Sequence, residues 1–447
     1  MMRHARRHRR TIRLASAVAL LPLALPEPVD AQQLPPARDS LRLGALHAEA
    51  VRRDPRGQQL ELLAAQSALR ERSLDAERLP TLNLKAQGQY QSDVLTFPFR
   101  LPGGETVPLL PQDNYDAHLD GLQRLYDPTL ASRREVERAR LAEGQARVRA
   151  GLYALRGSVN EAFFDALRLQ AQSAELEAGI TALEAQIAVA RHRVRLGSAL
   201  PSEPATLEAV LLERRQSLAE LAANRDAALV VLGDLTGRHV TVEDALALPD
   251  LRAVVALARD TLGALRARPE YEQFARSRDV LERQQASVDA RDLPRVSAFG
   301  RAGYGRPGLN PLAIELDEYW LAGVQVEWTP LSWGTSQRER EELAIQQQIV
   351  ATEEAAFTES VRRGIAFDLA AIDRLERTLG TDEQIIALRE RILRETRLRF
   401  AEGVVTSAEL VDRETDALAA RLALASHRVE LAQARARFLT RIGLEVR

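Results

Sequence analysis

The sequence predicts an α+β membrane protein made by duplication, with each half running helix, strand, strand, helix, helix. Three observations carry this reading. They are an internal repeat anchored on proline and tyrosine, an apolar 3-4 spacing held over very long segments, and short stretches of strict two-residue alternation.

The repeat sets the frame. Asp75-Ala76-Glu77-Arg78-Leu79-Pro80 recurs as Asp289-Ala290-Arg291-Asp292-Leu293-Pro294, at an offset of 214 residues. Pro55 matches Pro269 and Tyr90 matches Tyr304 at the same offset. A second echo, Arg191-x-Arg193-x-x-x-Gly197 with Arg397-x-Arg399-x-x-x-Gly403, lies at an offset of 206. The halves are expected at 32–250 and 251–447. In the first, helices are expected near 55–79, 130–196 and 205–232, with strands near 81–92 and 113–126. In the second, helices are expected near 269–293, 335–402 and 406–442, with strands near 295–305 and 318–329. Proline opens the first helix of each half and stops it at the end, because it suits a first turn and cannot continue a helix.

Ahead of the repeats, residues 1–31 read as a secretory leader. Arg3, Arg6, Arg7, Arg9, Arg10 and Arg13 form a basic stretch, and Leu14 to Leu25 an apolar one too short to span a bilayer. Val29-Asp30-Ala31 is the expected cleavage site. Loss of the leader leaves a more acidic chain, which gives nucleic acid no purchase.

Composition fits long packed helices. Aromatic residues are 4% of the chain, thin for a globular core, while charged residues are 28%. From Leu152, the positions Leu155, Val159, Ala162, Ala166, Leu169, Ser173, Leu176, Ile180, Leu183, Ile187, Ala190 and Val194 follow at alternating spacings, apolar but for the serine. Val411, Thr415, Leu418, Leu422, Ala425, Val429, Ala432, Ala436 and Leu439 repeat the pattern. A seven-residue apolar repeat imposes a left-handed supercoil. The seam of 335–402 is blurred, as for a helix with neighbours on two sides. Taken alone, these helices fit a soluble periplasmic coiled-coil scaffold as well as a tunnel.

The strands separate the two. Leu82, Leu84, Ala86, Gly88 and Tyr90 alternate with Asn83, Lys85, Gln87, Gln89 and Gln91. Val296, Ala298, Gly300, Ala302 and Tyr304 share one side of the third strand, and Trp320, Ala322, Val324, Val326 and Trp328 one side of the fourth. Segment 114–126 alternates less regularly. Apolar-out, polar-in alternation over about ten residues is the pattern of a membrane barrel strand. Tyr90, Tyr126, Tyr304, Trp320 and Trp328 fall near strand ends, where an interfacial aromatic girdle sits. Four strands cannot close a barrel, since the smallest have about eight. The chain must then oligomerise, and three copies would supply twelve strands.

Enzyme chemistry finds no footing. The chain has no cysteine, which excludes disulfides, thiolate metal sites and a lipid-anchoring thiol. His4, His8, His47, His118, His192, His239 and His427 are scattered without ligand spacing. Gly300-Arg301-Ala302-Gly303-Tyr304-Gly305 follows a strand but opens no helix, and reads as small residues on a lipid-facing strand rather than a phosphate loop. No catalytic, cofactor-binding or metal-binding residue is expected.

The ordered set of these features resembles the TolC-like family of outer-membrane efflux proteins over nearly all of the mature chain. Phe400-Ala401-Glu402-Gly403 followed by Leu410-Val411-Asp412 is similar to the family's second turn at the periplasmic tip, and Arg195-Leu196-Gly197-Ser198 to the first. The resemblance implies a homotrimer in outer-membrane lipid, its twelve-stranded β-barrel continued by a twelve-helix periplasmic α-barrel. It implies a passive export duct of a tripartite efflux pump or type I secretion system, working with a periplasmic adaptor and an inner-membrane pump. Arg195, Leu196, Gly197, Ser198, Glu402, Gly403 and Val404 would form the adaptor-docking tip, and Glu409 and Asp412 an acidic constriction. Val405 stands where some members carry a latching arginine, Pro201 and Pro204 lengthen the first turn, and Pro128 replaces a glycine after the second strand.

Overall fold

The computed structural model describes residues 40–94, 112–260, 267–310 and 315–445. The expected leader and most of the Gly/Pro-rich loop after the first strand lie outside the described residues.

Helix α1 (Leu43–Arg53) is followed by a 3-10 turn (Pro55–Gln58) that feeds α2 (Gln59–Ala76). Strands β1 (Thr81–Tyr90) and β2 (Asp113–Tyr126) lead into the long helix α3 (Pro128–Arg195) and its return α4 (Ser202–Thr236). After α5 (Arg252–Asp260), the order resumes with α6 (Pro269–Arg291), β3 (Arg295–Arg306), β4 (Asp317–Glu327), α7 (Thr335–Ala401) and α8 (Ser407–Arg441). At 68 and 67 residues, α3 and α7 each run roughly 100 Å.

Local chemistry explains the boundaries. The Asp54 carboxylate accepts from Arg56 N at 2.8 Å, which tightens the chain at Pro55 into a 3-10 turn before α2 can start. Asp127 caps α3 by accepting from Thr129 N at 3.0 Å, with Pro128 in the first turn. Thr406 Oγ1 caps α8 by accepting from Glu409 N at 3.3 Å. Helices α1 and α5 have no counterpart in the sequence reading, because each is too short for a period to stand out. Leu41 pairs with Leu246 beside them and ties the chain before α1 to the segment before α5.

The apolar seam read along α3 is buried or half-buried at every position from Leu152 to Val194. Around its middle, α1, α3, α4, α5, α7 and α8 enclose the main core. Phe163, Phe164, Phe438, Leu43, Leu232 and Ile372 are among its fully enclosed side chains. Phe163 and Phe164 meet edge to face with centroids 5.2 Å apart. Truncating such a phenylalanine to alanine costs about 3–5 kcal/mol. A second core at the far end of the helices gathers Leu183, Leu207, Phe400 and Leu410.

Helices α7 and α8 are joined differently, by charged rungs. Asp368, fully buried, accepts from Arg437 at 2.9 Å and Arg441 at 2.6 Å. Further along, Glu376 meets Arg435 at 2.7 Å, Asp382 meets His427 at 2.6 Å, and Glu390 meets Arg421 at 3.2 Å. Removing one partner of a buried pair costs about 3–5 kcal/mol, so the rungs fix register even where they add little net stability.

One neutral network crosses the main core. Asn160 Oδ1 accepts from His47 Nε2 at 2.8 Å, Asn160 Nδ2 donates to Thr440 Oγ1 at 3.1 Å, and Thr440 Oγ1 donates to Ala436 O at 2.9 Å. Every donor in this chain has an acceptor, which is what a buried polar network requires. Burial pushes the His47 imidazole down from 6.5 to about 4, the Asn160 bond opposing it. The unfolded chain therefore binds this proton before the folded one does. Stability is fully present above pH 6.5 and falls by up to about 1.4 kcal/mol per unit as pH drops from there toward 4. Thermal melts across that window should show the decline, and His47→Gln should flatten it. An unchanged slope in the variant would remove His47 as the cause.

Candidate membrane-facing sheet and helical tip

The four strands form one antiparallel sheet in the order β1-β2-β3-β4. Its register settles which side chains share a face. Leu84 pairs with Leu119, Leu119 with Ala302, and Ala302 with Trp320. Ala86, Ala117 and Tyr304 form the neighbouring row, as do Gly121, Gly300 and Ala322. The apolar sets of all four strands thus fall on one face, and that face is bare: Leu84 is 80% exposed and Trp320 76%. A contiguous apolar surface of this kind on a soluble monomer would be an aggregation liability.

The irregular alternation of the second strand has a physical cause. A bulge between Arg124 and Tyr126 shifts the register by one residue, so Tyr126 pairs with Val296 on the apolar face. Tyr90, Tyr304 and Trp320 lie toward the far end of that face, and Trp328 just past the end nearer the helices. Trp328 Nε1 donates to Asp292 O at 3.1 Å, and Tyr90 Oη to Gln112 Oε1 at 3.0 Å. From Trp320 to Trp328 is about 27 Å along the strand, close to the height of a lipid-facing band.

The opposite face is polar and internally paired. Asp120 accepts from Arg301 at 2.6 Å and pairs with Lys85 at 2.9 Å, joining three strands. Asp116 accepts from the Tyr319 hydroxyl and contacts His118. Gly303 and Gly305 lie on this side, across from Ala302 and Tyr304. Of the small residues of this segment, Gly300 and Ala302 thus share the apolar face, as the alternation predicts, whereas Gly303 and Gly305 do not.

At the other extreme, two turns of matched geometry end α3 and α7. Gly197 and Gly403 take φ of +69° and +79°, left-handed values that suit glycine. Ser198 N donates to Arg193 O at 3.0 Å and Val404 N to Arg399 O at 2.9 Å, the same closure in both turns. Arg195, Leu196, Ser198, Glu402 and Val404 lie around these glycines, and all five are exposed. Glu409 and Asp412 lie on the first turns of α8, exposed, with no ion pair among the described residues.

Arg193 is the contact that sequence reasoning missed. It donates to Phe400 O at 2.7 Å, lies 5.1 Å from the Phe400 ring centroid and is 3.5 Å from Glu203. One side chain of the first turn thereby grips the second. A Cβ added at Gly403 would approach Arg193 Nη2 to 2.9 Å. The signal was present in the paired Arg-x-Arg-x-x-x-Gly echo, but spacing alone does not reveal which arginine reaches across. Deeper in, Glu414 is 3% side-chain exposed and accepts from Arg397 of α7 at 2.9 Å, with Arg214 of α4 3.7 Å away. Arg214 also donates to Gly179 O at 3.1 Å, and burial lowers its pKa. Two polar bolts, Arg193 and Arg214, thus tie the α3–α4 hairpin to the α7–α8 hairpin near the tip.

Among the described residues, no cluster of histidine and carboxylate side chains has the geometry of a metal site. No helix among them is long and apolar enough to cross a membrane.

Solved structures of other proteins share this architecture. The chain superposes on CusC, described for conformational changes accompanying folding and transmembrane channel formation, over 90% of its length and 92% of CusC, with TM-score 0.67 and 17% identity. It matches the outer membrane protein VceC of Vibrio cholerae over 91% of this chain and 97% of that one, with TM-score 0.65 and 16% identity. It matches the open state of the Neisseria gonorrhoeae MtrE outer membrane channel over 91% and 90%, with TM-score 0.62 and 19% identity. No family model and no curated protein matches the sequence. The chain has the fold of the TolC-like outer-membrane channels.

Proposed function

We propose that the protein is an outer-membrane duct through which solutes leave the cell passively, as the outer component of a tripartite efflux pump or type I secretion system. The observation that carries this reading is the sheet: one mainly apolar, exposed face with Gln123, Asp113, Arg306 and Glu318 toward its ends, an opposite face of paired charges, and two open edges at β1 and β4. Such a sheet in hydrocarbon must close on itself, and three copies would make a twelve-stranded barrel with the polar face inside. The helices below would join into a twelve-helix periplasmic α-barrel. Apolar side chains left exposed on α2 (Leu62, Leu69) and on α7 (Ile345, Ile349, Leu388) supply surface for neighbouring protomers. Tyr90, Tyr304, Trp320 and Trp328 would anchor the barrel at the membrane interfaces.

At the tip, the turns at Arg195–Ser198 and Glu402–Val404 would dock a periplasmic adaptor, itself joined to an inner-membrane pump that supplies the energy. Glu409 and Asp412, repeated three times, would form an acidic collar that favours cations. Their exposure and lack of partners support that role. The Arg193 grip would hold the two turns together in place of the arginine that Val405 lacks.

In this reading the protein remains with outer membranes after a high-salt wash. Recovery in the soluble periplasm would favour a coiled-coil scaffold instead. In planar bilayers the channel should prefer cations, and Glu409→Ala with Asp412→Ala should weaken that preference; unchanged selectivity would remove the collar. Arg193→Ala should speed amide exchange across the turn at 398–404 by about ten- to a hundredfold, since a charged hydrogen bond contributes about 1.5–3 kcal/mol. Unaltered exchange there would dismiss the grip.

A further inference from the structure

Two aromatic rings on the polar face of the sheet lie down along it. Tyr319 on β4 sits directly opposite Gly303 on β3. A Cβ added at Gly303 would come within 2.6 Å of His118 Cβ on β2 and 2.9 Å of the ring's Cζ, one at Gly305 within 2.8 Å of Asp116 Oδ1 and 3.4 Å of the ring's Cε1, and one at Gly308 within 3.1 Å of its Cδ1. The ring therefore crosses β3 over bare backbone, and its hydroxyl donates to Asp116 on β2. Phe299 lies the opposite way, from β3 onto its direct partner Gly323 on β4, where an added Cβ would come within 2.7 Å of its Cζ. Any larger residue at Gly303 or Gly323 would have to displace the ring or the strand. The tether to Asp116 adds a polar reason for Tyr319 to stay flat.

We propose that Gly303, Gly305 and Gly323 keep the bore of the barrel wide by giving the rings of Tyr319 and Phe299 a floor on which to lie flat. This rests on the duct reading, in which the polar face lines the lumen. Three copies of two flat rings leave the passage open to bulky solutes; three copies of raised rings would form an apolar constriction across it. Gly303 and Gly305 of β3 then serve the lumen rather than the lipid.

The chain has no cysteine, so a single Ser297→Cys reports passage cleanly. Ser297 shares the face of Phe299 and lies two residues nearer the helices, so a reagent entering from outside must pass both rings. Intact cells carrying this variant would be treated with maleimide-polyethylene glycols of graded size. Phe299→Ala or Tyr319→Ala, added singly, should leave the size cut-off unchanged, because the rings already lie out of the way. Gly323→Leu, in protein that assembles, should slow labelling by reagents near the cut-off by roughly tenfold, and adding Phe299→Ala should restore most of the rate. A higher cut-off in either alanine variant would overturn the proposal, as would an assembled Gly323→Leu that labels like its parent. If Gly323→Leu fails to assemble, the alanine variants decide alone. If the smallest reagent cannot reach Ser297→Cys in the otherwise unaltered chain, the duct reading falls instead.

Discussion

The edge of a β-sheet carries a row of unpaired N–H and C=O groups, and hydrocarbon offers them no water. Each such group costs several kcal/mol in lipid. In this chain the sheet has four strands and two such edges, while its outer face is apolar from Leu82 across to Trp320. The two facts pull against each other in a monomer. In the proposed duct the face belongs in lipid, and the edges forbid it until neighbouring copies pair β1 with β4. Much else in the molecule is consistent with that closure, including the apolar side chains left bare on α2 and α7. Charged residues on the opposite face are paired across strands, as in the Lys85–Asp120–Arg301 set, so in the proposed duct the lining would be polar without being strongly charged.

The helices meet a different constraint. A pair of helices roughly 100 Å long can slip in register at little cost if only alanine and leucine hold it. The two hairpins answer this differently. Along α3 and α4 the seam is mostly apolar and the ion pairs Arg191–Glu208 and Arg215–Glu184 lie exposed, whereas α7 and α8 carry charged rungs that begin and end on buried carboxylates, Asp368 and Glu414. Buried charges tolerate almost no displacement, so the rungs define one register. Near the tip, Arg193 and Arg214 carry this fixing from one hairpin to the other. The tip is therefore a small core of apolar side chains held by a few directional contacts, a construction suited to a part that must meet partners.

The long helices were legible because an apolar period repeated over many turns leaves little ambiguity, and proline marked the bounds of the first helix of each half. The apolar face of the sheet was legible for a similar reason: period-two alternation assigns faces without any knowledge of pairing. Where the alternation faltered, in the second strand, a bulge at Leu125 accounts for it. The short helices α1 and α5 were not legible, since a stretch of about three turns shows too few apolar positions to stand above chance. Nor was the polar network of His47, Asn160 and Thr440, whose members are separated by more than a hundred residues and share no motif. Gly303 and Gly305 were misread because composition reports small residues but not what lies on them. The grip of Arg193 on Phe400 depended on side-chain reach between two turns, which spacing cannot supply.

The central claim is that three copies close one barrel above one helical tunnel. Negative-stain electron microscopy of the detergent-extracted protein tests it most directly. The account predicts threefold particles with a detergent belt at one end and a tunnel roughly 100 Å long below it. Monomeric or dimeric rods without a belt would mean that the apolar face of the sheet never meets lipid, and the account would be contradicted.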